Sequence, residues 1–140
     1  VRHFTARTNR REKIKTIIKQ GPELLPQLRV CYENRGGKYN CGECEKCMRT
    51  QMDILFAAPQ SDLSMFSRQV SPEMLKGLKL PCASDKVYTV HFWRDILEEA
   101  ETRGWHSYSE SIRQALSNHK RKCLRRRIKL KIRRTSRKVL

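Results

Sequence analysis

The spacing of apolar positions predicts a first helix over residues 10–19. Three isoleucines recur at i, i+3 and i+4, which places them on one helical face: Ile14, Ile17 and Ile18. Asn9 precedes Glu12 by three residues, which is the spacing of a capping box at a helix N-terminus. Gly21 and Pro22 follow, and both residue types end helices. The pattern therefore predicts a short amphipathic helix with defined ends.

A second helix is predicted from about Cys47 to Ala58. Its apolar side chains follow the helical period: Met48, Met52, Leu55 and Phe56. Pro59 then ends it. Between the two helices, residues 28–30 form a short extended run, and three turn-forming glycines follow it: Gly36, Gly37 and Gly42. The pattern thus predicts a loop between two helices.

Residues after position 70 carry the pattern of two more helices. The first is short, covers residues 71–78 and has Ser71 as N-cap with proline at the first helical position. The second runs over residues 85–103, and its apolar stripe is Trp93, Ile96, Leu97 and Ala100. Gly104 suits the position just past its end.

A last helix is predicted to open at a second capping box, Ser107 with Glu110, and to continue into the basic C-terminal residues. Its buried residues would be Ile112, Ala115 and Leu116. The expected fold is mainly α, with a four-cysteine loop and at most one or two short strands. The segments would be 1–58 (helix, cysteine loop, helix), 59–84 (a connection expected to be a surface linker), 85–118 (helical subdomain) and 119–140 (basic tail).

The net charge of +17 is concentrated in the tail. Residues 119–140 contain 12 Lys or Arg and no acidic residue, whereas the other 118 residues carry 19 basic and 14 acidic side chains. Leu124, Ile128 and Ile132 recur every four residues. This predicts a helix with a thin apolar stripe among basic residues, namely Arg125, Arg126, Arg127, Lys129, Lys131, Arg133 and Arg134.

Three interpretations of the basic tail stay open. It can lie on an anionic membrane surface, bind nucleic acid phosphates, or remain a solvated extension. No aromatic residue follows Tyr108. Because aromatic side chains are what nucleic acid bases stack on, this absence favours the membrane over nucleic acid.

Four of the six cysteines lie close together and predict a metal site. Nine residues separate the first two, and two residues separate each later pair: Cys31, Cys41, Cys44 and Cys47. Two-residue spacing is usual in thiolate zinc sites, and a four-cysteine site has no open position, so the zinc would be structural. An iron–sulfur cluster and a disulfide framework are the alternatives. The chain lacks the downstream Cys-Pro that is typical of the iron–sulfur motif. It also lacks a secretory signal, which a disulfide framework would lead us to expect.

Several basic side chains near these cysteines can offset the negative charge of four thiolates: Arg35, Lys38, Lys46 and Arg49. Arg49 is also four residues before Asp53, which predicts an intrahelical ion pair. The alternative is that Arg49 faces the thiolates or an anionic substrate.

The remaining candidate residues favour structural roles. Cys82 and Cys123 have no partner at ligand spacing, and we expect both to act as small apolar side chains. The four histidines form no His-x-x-His pair, and His91 is expected to be packed or half-exposed. Three glutamates resemble paired carboxylates, but a solvated helix face is the simpler interpretation: Glu98, Glu99 and Glu101. The sequence therefore assigns no catalytic residue.

The cysteine stretch resembles a family motif. The run "CY", a Gly/Lys-rich loop and "CGECEKCMR" look like the C-terminal zinc motif of 7-cyano-7-deazaguanine synthases, in the PP-loop (N-type) ATP pyrophosphatase superfamily. The resemblance covers residues 9–58. Here the loop to Cys41 is one residue longer than in the family, and Arg49 follows Cys47 by two positions rather than three. The resemblance implies that the four cysteines bind zinc, at the helical C-terminal end of an α/β enzyme.

The superfamily's ATP-binding loop, Ser-Gly-Gly-x-Asp-Ser, is absent from this sequence. The resemblance therefore implies a partner N-terminal ATP-binding domain, a small-molecule substrate and no activity for this chain alone. In the implied chemistry, ATP adenylates an oxygen, pyrophosphate leaves and a nucleophile displaces AMP, while this segment shapes the substrate side.

Two further expectations complete the sequence-based interpretation. No apolar run approaches the length of a membrane span and no secretory signal is visible, so the expected location is the cytoplasm. The alternative function is a small zinc module that binds nucleic acid or an anionic membrane through the tail.

Overall fold

The structure, a computed structural model, describes residues 8–33, 39–82 and 87–136, without the side chains of Val87, Lys131 and residues 133–136. The chain divides into two compact units, Val1–Ser71 and Pro72–Leu140. We call them the first unit and the second unit. The predicted connection at 59–84 is thus divided, because its residues up to Ser71 belong to the first unit and the rest to the second.

The first unit opens with helix α1, Arg10–Gln20, which confirms the predicted helix. Its capping box is formed: the Glu12 backbone N–H donates to the Asn9 side chain at 2.9 Å, and the Asn9 backbone N–H donates to the Glu12 carboxylate at 2.9 Å. Gly21 ends the helix, and a 3₁₀ helix follows at Pro22–Gln27. The described residues contain no β-strand, and this includes the extended run predicted at residues 28–30.

Helix α2, Glu45–Ala57, is the central element of the first unit. It begins two residues earlier than predicted because Cys44 takes the N-cap position, and it ends just before Pro59 as expected. The predicted apolar face is buried, with Leu55 only partly so. Burial also extends to the polar residues Arg49, Thr50, Gln51 and Asp53. A helix buried nearly all round needs partners for these polar groups.

Residues 59–71 close the core of the first unit rather than forming a surface linker. The apolar side chains of Leu63, Phe66 and Val70 are buried. The Val70 backbone N–H donates to the Gln51 side chain at 2.8 Å. The serines and Pro59 of this segment are typical of loops, which is why the sequence indicated a linker. Its burial depends on contacts with other elements of the unit.

Among its described residues, the second unit has three helices: α3 at Pro72–Lys76, α4 at Val87–Thr102 and α5 at His106–Ser136. Helix α5 packs against α3 and α4. The predicted stripes supply the core, with these residues buried: Trp93, Ile96, Ala100, Ile112 and Ala115. Leu97 and Leu116 are half-buried.

Helix α5 differs from its prediction at the N-terminus. It begins at His106, so Ser107 lies inside the first turn instead of capping it. The Ser109 backbone N–H donates to the Trp105 carbonyl at 2.9 Å, which is the first bond of the helix. The helix then continues to Ser136, so the basic tail is the extension of a helix that packs in the second unit.

Cys82 and Cys123 form a disulfide, so the expectation that they are separate apolar side chains is wrong. They are 41 residues apart in sequence. Ligand spacing along the chain cannot detect such a pair, because only the packing of α5 brings Cys123 to Cys82. In the chain-entropy model a loop of this length contributes about 4 kcal/mol to stability.

We expect Trp93→Ala to lower the free energy of unfolding by about 3–5 kcal/mol, because it empties a fully buried site in the second unit. Its neighbour Phe92 is 41% exposed. The matched change Phe92→Ala should therefore cost about 1 kcal/mol. Urea denaturation followed by circular dichroism measures both, and equal losses would contradict the assigned core.

Candidate metal centre

The four cysteines of the predicted site meet in the first unit. The Sγ atom of Cys31 lies 3.5 Å from that of Cys41 and 3.9 Å from that of Cys44, and Cys41 and Cys47 are 3.9 Å apart. All four sulfurs lie within 4.8 Å of one another. A four-coordinate ion with metal–sulfur bonds of about 2.3 Å requires sulfurs about 3.8 Å apart. The four side chains are thiols rather than disulfides and can hold one metal ion.

A tight turn after Cys41 sets the spacing of three of these sulfurs. The Cys44 backbone N–H points at the Cys41 sulfur, 3.3 Å away. Gly42 has φ +77°, and a Cβ atom there would lie 2.0 Å from the Arg68 carbonyl oxygen. Only glycine fits both the backbone conformation and this approach. Cys44 then caps α2, and Cys47 lies in its first turn.

Asn40 fixes the fourth cysteine. Its side-chain oxygen accepts from the backbone N–H groups of Val30 at 2.9 Å and Cys31 at 3.2 Å. Its side-chain nitrogen donates to the Leu28 carbonyl at 2.7 Å. Asn40 is 1% exposed. The buried Asn40 amide therefore joins the segment before Cys31 to the chain next to Cys41. It provides hydrogen bonds that a pair of strands would otherwise supply.

The thiols lie in the core of the first unit. All four are buried and pack in one cluster with Ile14, Leu25, Ile54, Leu63 and Phe66. Burial raises the pKa of the Cys44 thiol to about 11, and burial raises the pKa of the Cys47 thiol as well. Without an ion the Cys44 and Cys47 thiols are therefore protonated at neutral pH, and a metal ion that bound them would displace their protons.

The two predicted basic residues near the cysteines that the structure describes, Lys46 and Arg49, each have a partner. Arg49 is buried and forms an ion pair with Glu45 at 3.1 Å. The Lys46 ammonium lies 5.2 Å from the centre of the Tyr32 ring. Both residues lie on the first two turns of α2, close in sequence to Cys47. Arg35 and Lys38 lie outside the described residues.

The predicted ion pair between Arg49 and Asp53 is replaced by contacts from α1. The Arg11 guanidinium donates to the Asp53 carboxylate at 3.0 Å, and Arg10 donates to the Thr50 hydroxyl at 2.9 Å. Burial raises the pKa of Asp53, and the Arg11 bond offsets only part of this. Arg10 and Arg11 were missed by sequence reasoning because about 40 residues separate them from their partners.

The predicted tail residues are helical and largely solvent-exposed. Leu124, Ile128 and Ile132 are 57%, 51% and 59% exposed on α5. Four basic residues between them are exposed as well: Arg125, Arg126, Arg127 and Lys129. Three more lie within the helix, but their side chains are outside the described set: Lys131, Arg133 and Arg134. Across the described residues, no helix combines the length and apolar character that a membrane crossing requires.

We expect Gly42→Ala to disrupt the first unit, because the new methyl group collides with the Arg68 backbone. Gly104 is the matched control, with φ +70° but its nearest neighbouring atom 4.0 Å from an added Cβ. Gly104→Ala should cost about 1–2 kcal/mol for the left-handed backbone alone. Thermal denaturation and metal content measure both, and a fully metal-loaded Gly42→Ala protein would contradict the assigned turn.

Comparison with known proteins adds no relative. No family model, curated protein or solved structure matches this chain. What the described residues show is therefore a mainly helical chain with four buried thiols that can hold one metal ion.

Proposed function

We propose that the first unit binds one structural zinc ion through Cys31, Cys41, Cys44 and Cys47. The observation that carries this proposal is the set of four buried sulfurs within 4.8 Å of one another. Four thiolates in tetrahedral arrangement suit zinc. An iron–sulfur cluster places several iron atoms between its cysteines and so fits sulfurs at this separation poorly.

The ion would stabilise the unit rather than react. Four protein ligands leave no open position for water or substrate, which is the feature that separates structural from catalytic zinc. The sulfurs belong to the buried apolar cluster, so bound zinc cross-links the loop, α2 and the segment before Cys31. Arg49 and Lys46 would offset part of the negative charge of the loaded site.

We further propose that this chain is the zinc-bearing C-terminal segment of an ATP-dependent PP-loop enzyme. Its support is the motif of residues 31–49, together with the geometry that joins Cys31 to the three later cysteines. In that enzyme the ATP-binding domain would activate the substrate by adenylation, with release of pyrophosphate. This unit would shape the substrate side, with Arg49, close in sequence to Cys47, as the candidate anion contact.

Zinc analysis tests the metal proposal. Native mass spectrometry of Cys44→Ser should show one zinc fewer than the wild type, because three thiolates and a hydroxyl bind zinc far more weakly. The free energy of unfolding of the first unit should fall on the order of 10 kcal/mol at saturating zinc, which means that the unit unfolds.

The control for this measurement is the double variant Cys82→Ser, Cys123→Ser, which removes two cysteines from the second unit and must keep the zinc of the first. Bound iron with visible colour, or a wild-type chain that folds fully without metal, would refute structural zinc.

The enzyme proposal is tested by pyrophosphate release. The reading frame upstream of residue 1 should encode Ser-Gly-Gly-x-Asp-Ser after a strand, and the longer protein should release pyrophosphate from ATP when substrate is present. Arg49→Ala should lower that release at unchanged zinc content if Arg49 contacts the substrate. A start codon at residue 1, or a longer protein that lacks the ATP-binding loop, would refute the assignment.

A second candidate function comes from α5. Three apolar side chains at four-residue spacing stay more than half exposed among basic residues: Leu124, Ile128 and Ile132. Such a face favours an anionic membrane surface over nucleic acid, because phosphates do not engage apolar side chains. Binding to phosphatidylserine vesicles should weaken several-fold in Ile128→Ser and with added salt. Equal binding by Ile128→Ser, or binding only to nucleic acid, would count against the membrane.

A further inference from the structure

A second group of metal-ligand side chains lies in the second unit. The His119 Nδ1 atom is 3.6 Å from the Cys123 sulfur and 3.9 Å from the Cys82 sulfur. The three ligand atoms lie within 4.8 Å of one another. His119 and Cys123 are four residues apart on α5, so the helix presents both on one face. In the described conformation the two sulfurs are joined as a disulfide.

A fourth donor lines the same space. Cys82, His119 and Cys123 line a cavity of about 660 Å³ together with His91 of α4. Among the described residues of that lining, His91 is the one further His, Cys, Asp or Glu. The cavity lining therefore includes two sulfurs and two imidazoles, the donor set of a Cys₂His₂ zinc site. His91 is exposed and lies outside the group of three donors that are within 4.8 Å of one another.

The charge of the cavity suits this donor set. Three basic side chains line the cavity: Arg94, Lys120 and Arg127. Two thiolates cancel the charge of Zn²⁺, so the loaded site would be neutral and would not be repelled by these neighbours.

The two groups of cysteines place opposite demands on the redox environment. The first unit needs four thiols, whereas the second unit shows a disulfide. A compartment that keeps four cysteines reduced also reduces an accessible disulfide, and both Cys82 and Cys123 are only partly buried. In such a compartment Cys82 and Cys123 are thiols beside the His119 imidazole.

We propose that Cys82, His91, His119 and Cys123 form a second zinc site, which exists only when the Cys82–Cys123 disulfide is reduced. The ion then replaces the disulfide as the link between residue 82 and α5. The second unit therefore keeps a cross-link in both redox states. This goes beyond the zinc of the first unit and does not depend on it.

The exchange balances with a dithiol as reductant. The dithiol supplies two electrons and two protons, the Sγ–Sγ bond breaks, two thiols form and the reductant becomes a disulfide. Zinc binding then releases the two thiol protons to solvent as the two sulfur–zinc bonds form. A peroxide reverses the exchange: it takes two electrons from the thiolates and two protons from solvent, leaves as water and frees the ion.

Zinc stoichiometry in the two redox states tests the proposal. The full chain is saturated with zinc, freed of excess ion and weighed by native mass spectrometry, once with the disulfide intact and once after dithiol treatment. We expect one zinc in the oxidised chain and two in the reduced chain. Alkylation after zinc removal counts the thiols and verifies each state.

The variant His119→Gln keeps a polar side chain but removes a ligand, and the exposed His106 offers the matched control His106→Gln. We expect reduced His119→Gln to hold one zinc and reduced His106→Gln to hold two. His91→Gln should lower the affinity for the second zinc at least about tenfold, because losing a ligand costs more than losing an outer-shell partner of a ligand. Circular dichroism checks that the helices persist in each variant.

The proposal is overturned by a reduced wild-type chain that binds the same number of zinc ions as the oxidised chain. It is also overturned if the additional zinc persists in the His119→Gln, His91→Gln double variant. Loss of the first-unit zinc alone leaves a different signature, namely zero ions in the oxidised chain and one in the reduced chain. Failure of the proposed structural zinc is therefore distinguishable from failure of this second site.

Discussion

The first unit is built around four thiols. Their sulfur atoms are separated by about the distance that separates two sulfurs bound to the same tetrahedral metal ion. The thiols belong to the unit's buried apolar cluster, and the large side chains there come from α1, the 3₁₀ helix, α2 and residues 59–71. Cysteine packs as a small apolar residue when protonated. The same four residues become cross-links when an ion displaces their protons. A metal ion held by these sulfurs would therefore cross-link a core that has few large side chains.

Buried amides replace strand pairing around the thiols. Asn40 holds the Cys31 segment, and Gln51 donates to the Gly42 carbonyl while it accepts from the Val70 backbone. Burying such groups is costly unless each one is bonded. Here they supply the bonds that an irregular loop lacks. The loop around Cys41 can therefore be both irregular and buried.

The two cysteine groups differ in how the chain brings them together. Cys41, Cys44 and Cys47 are neighbours in sequence, and a turn with one obligatory glycine is enough to gather them. Cys82 and Cys123 depend on the packing of α5. The first group forms with its own loop, whereas the second requires the folded second unit.

Local interactions determined what could be predicted from the sequence alone. The capping box of α1, the extent of α2 and the apolar stripes of α4 and α5 depend on residues a few positions apart, as do three of the four clustered cysteines. The Cys82–Cys123 bond, the Arg11–Asp53 pair and the burial of Leu63 and Phe66 were decided by tertiary structure. Their partners lie tens of residues away or on other elements. Such contacts depend on which elements pack against each other, and the local spacing of residues does not specify the partner element.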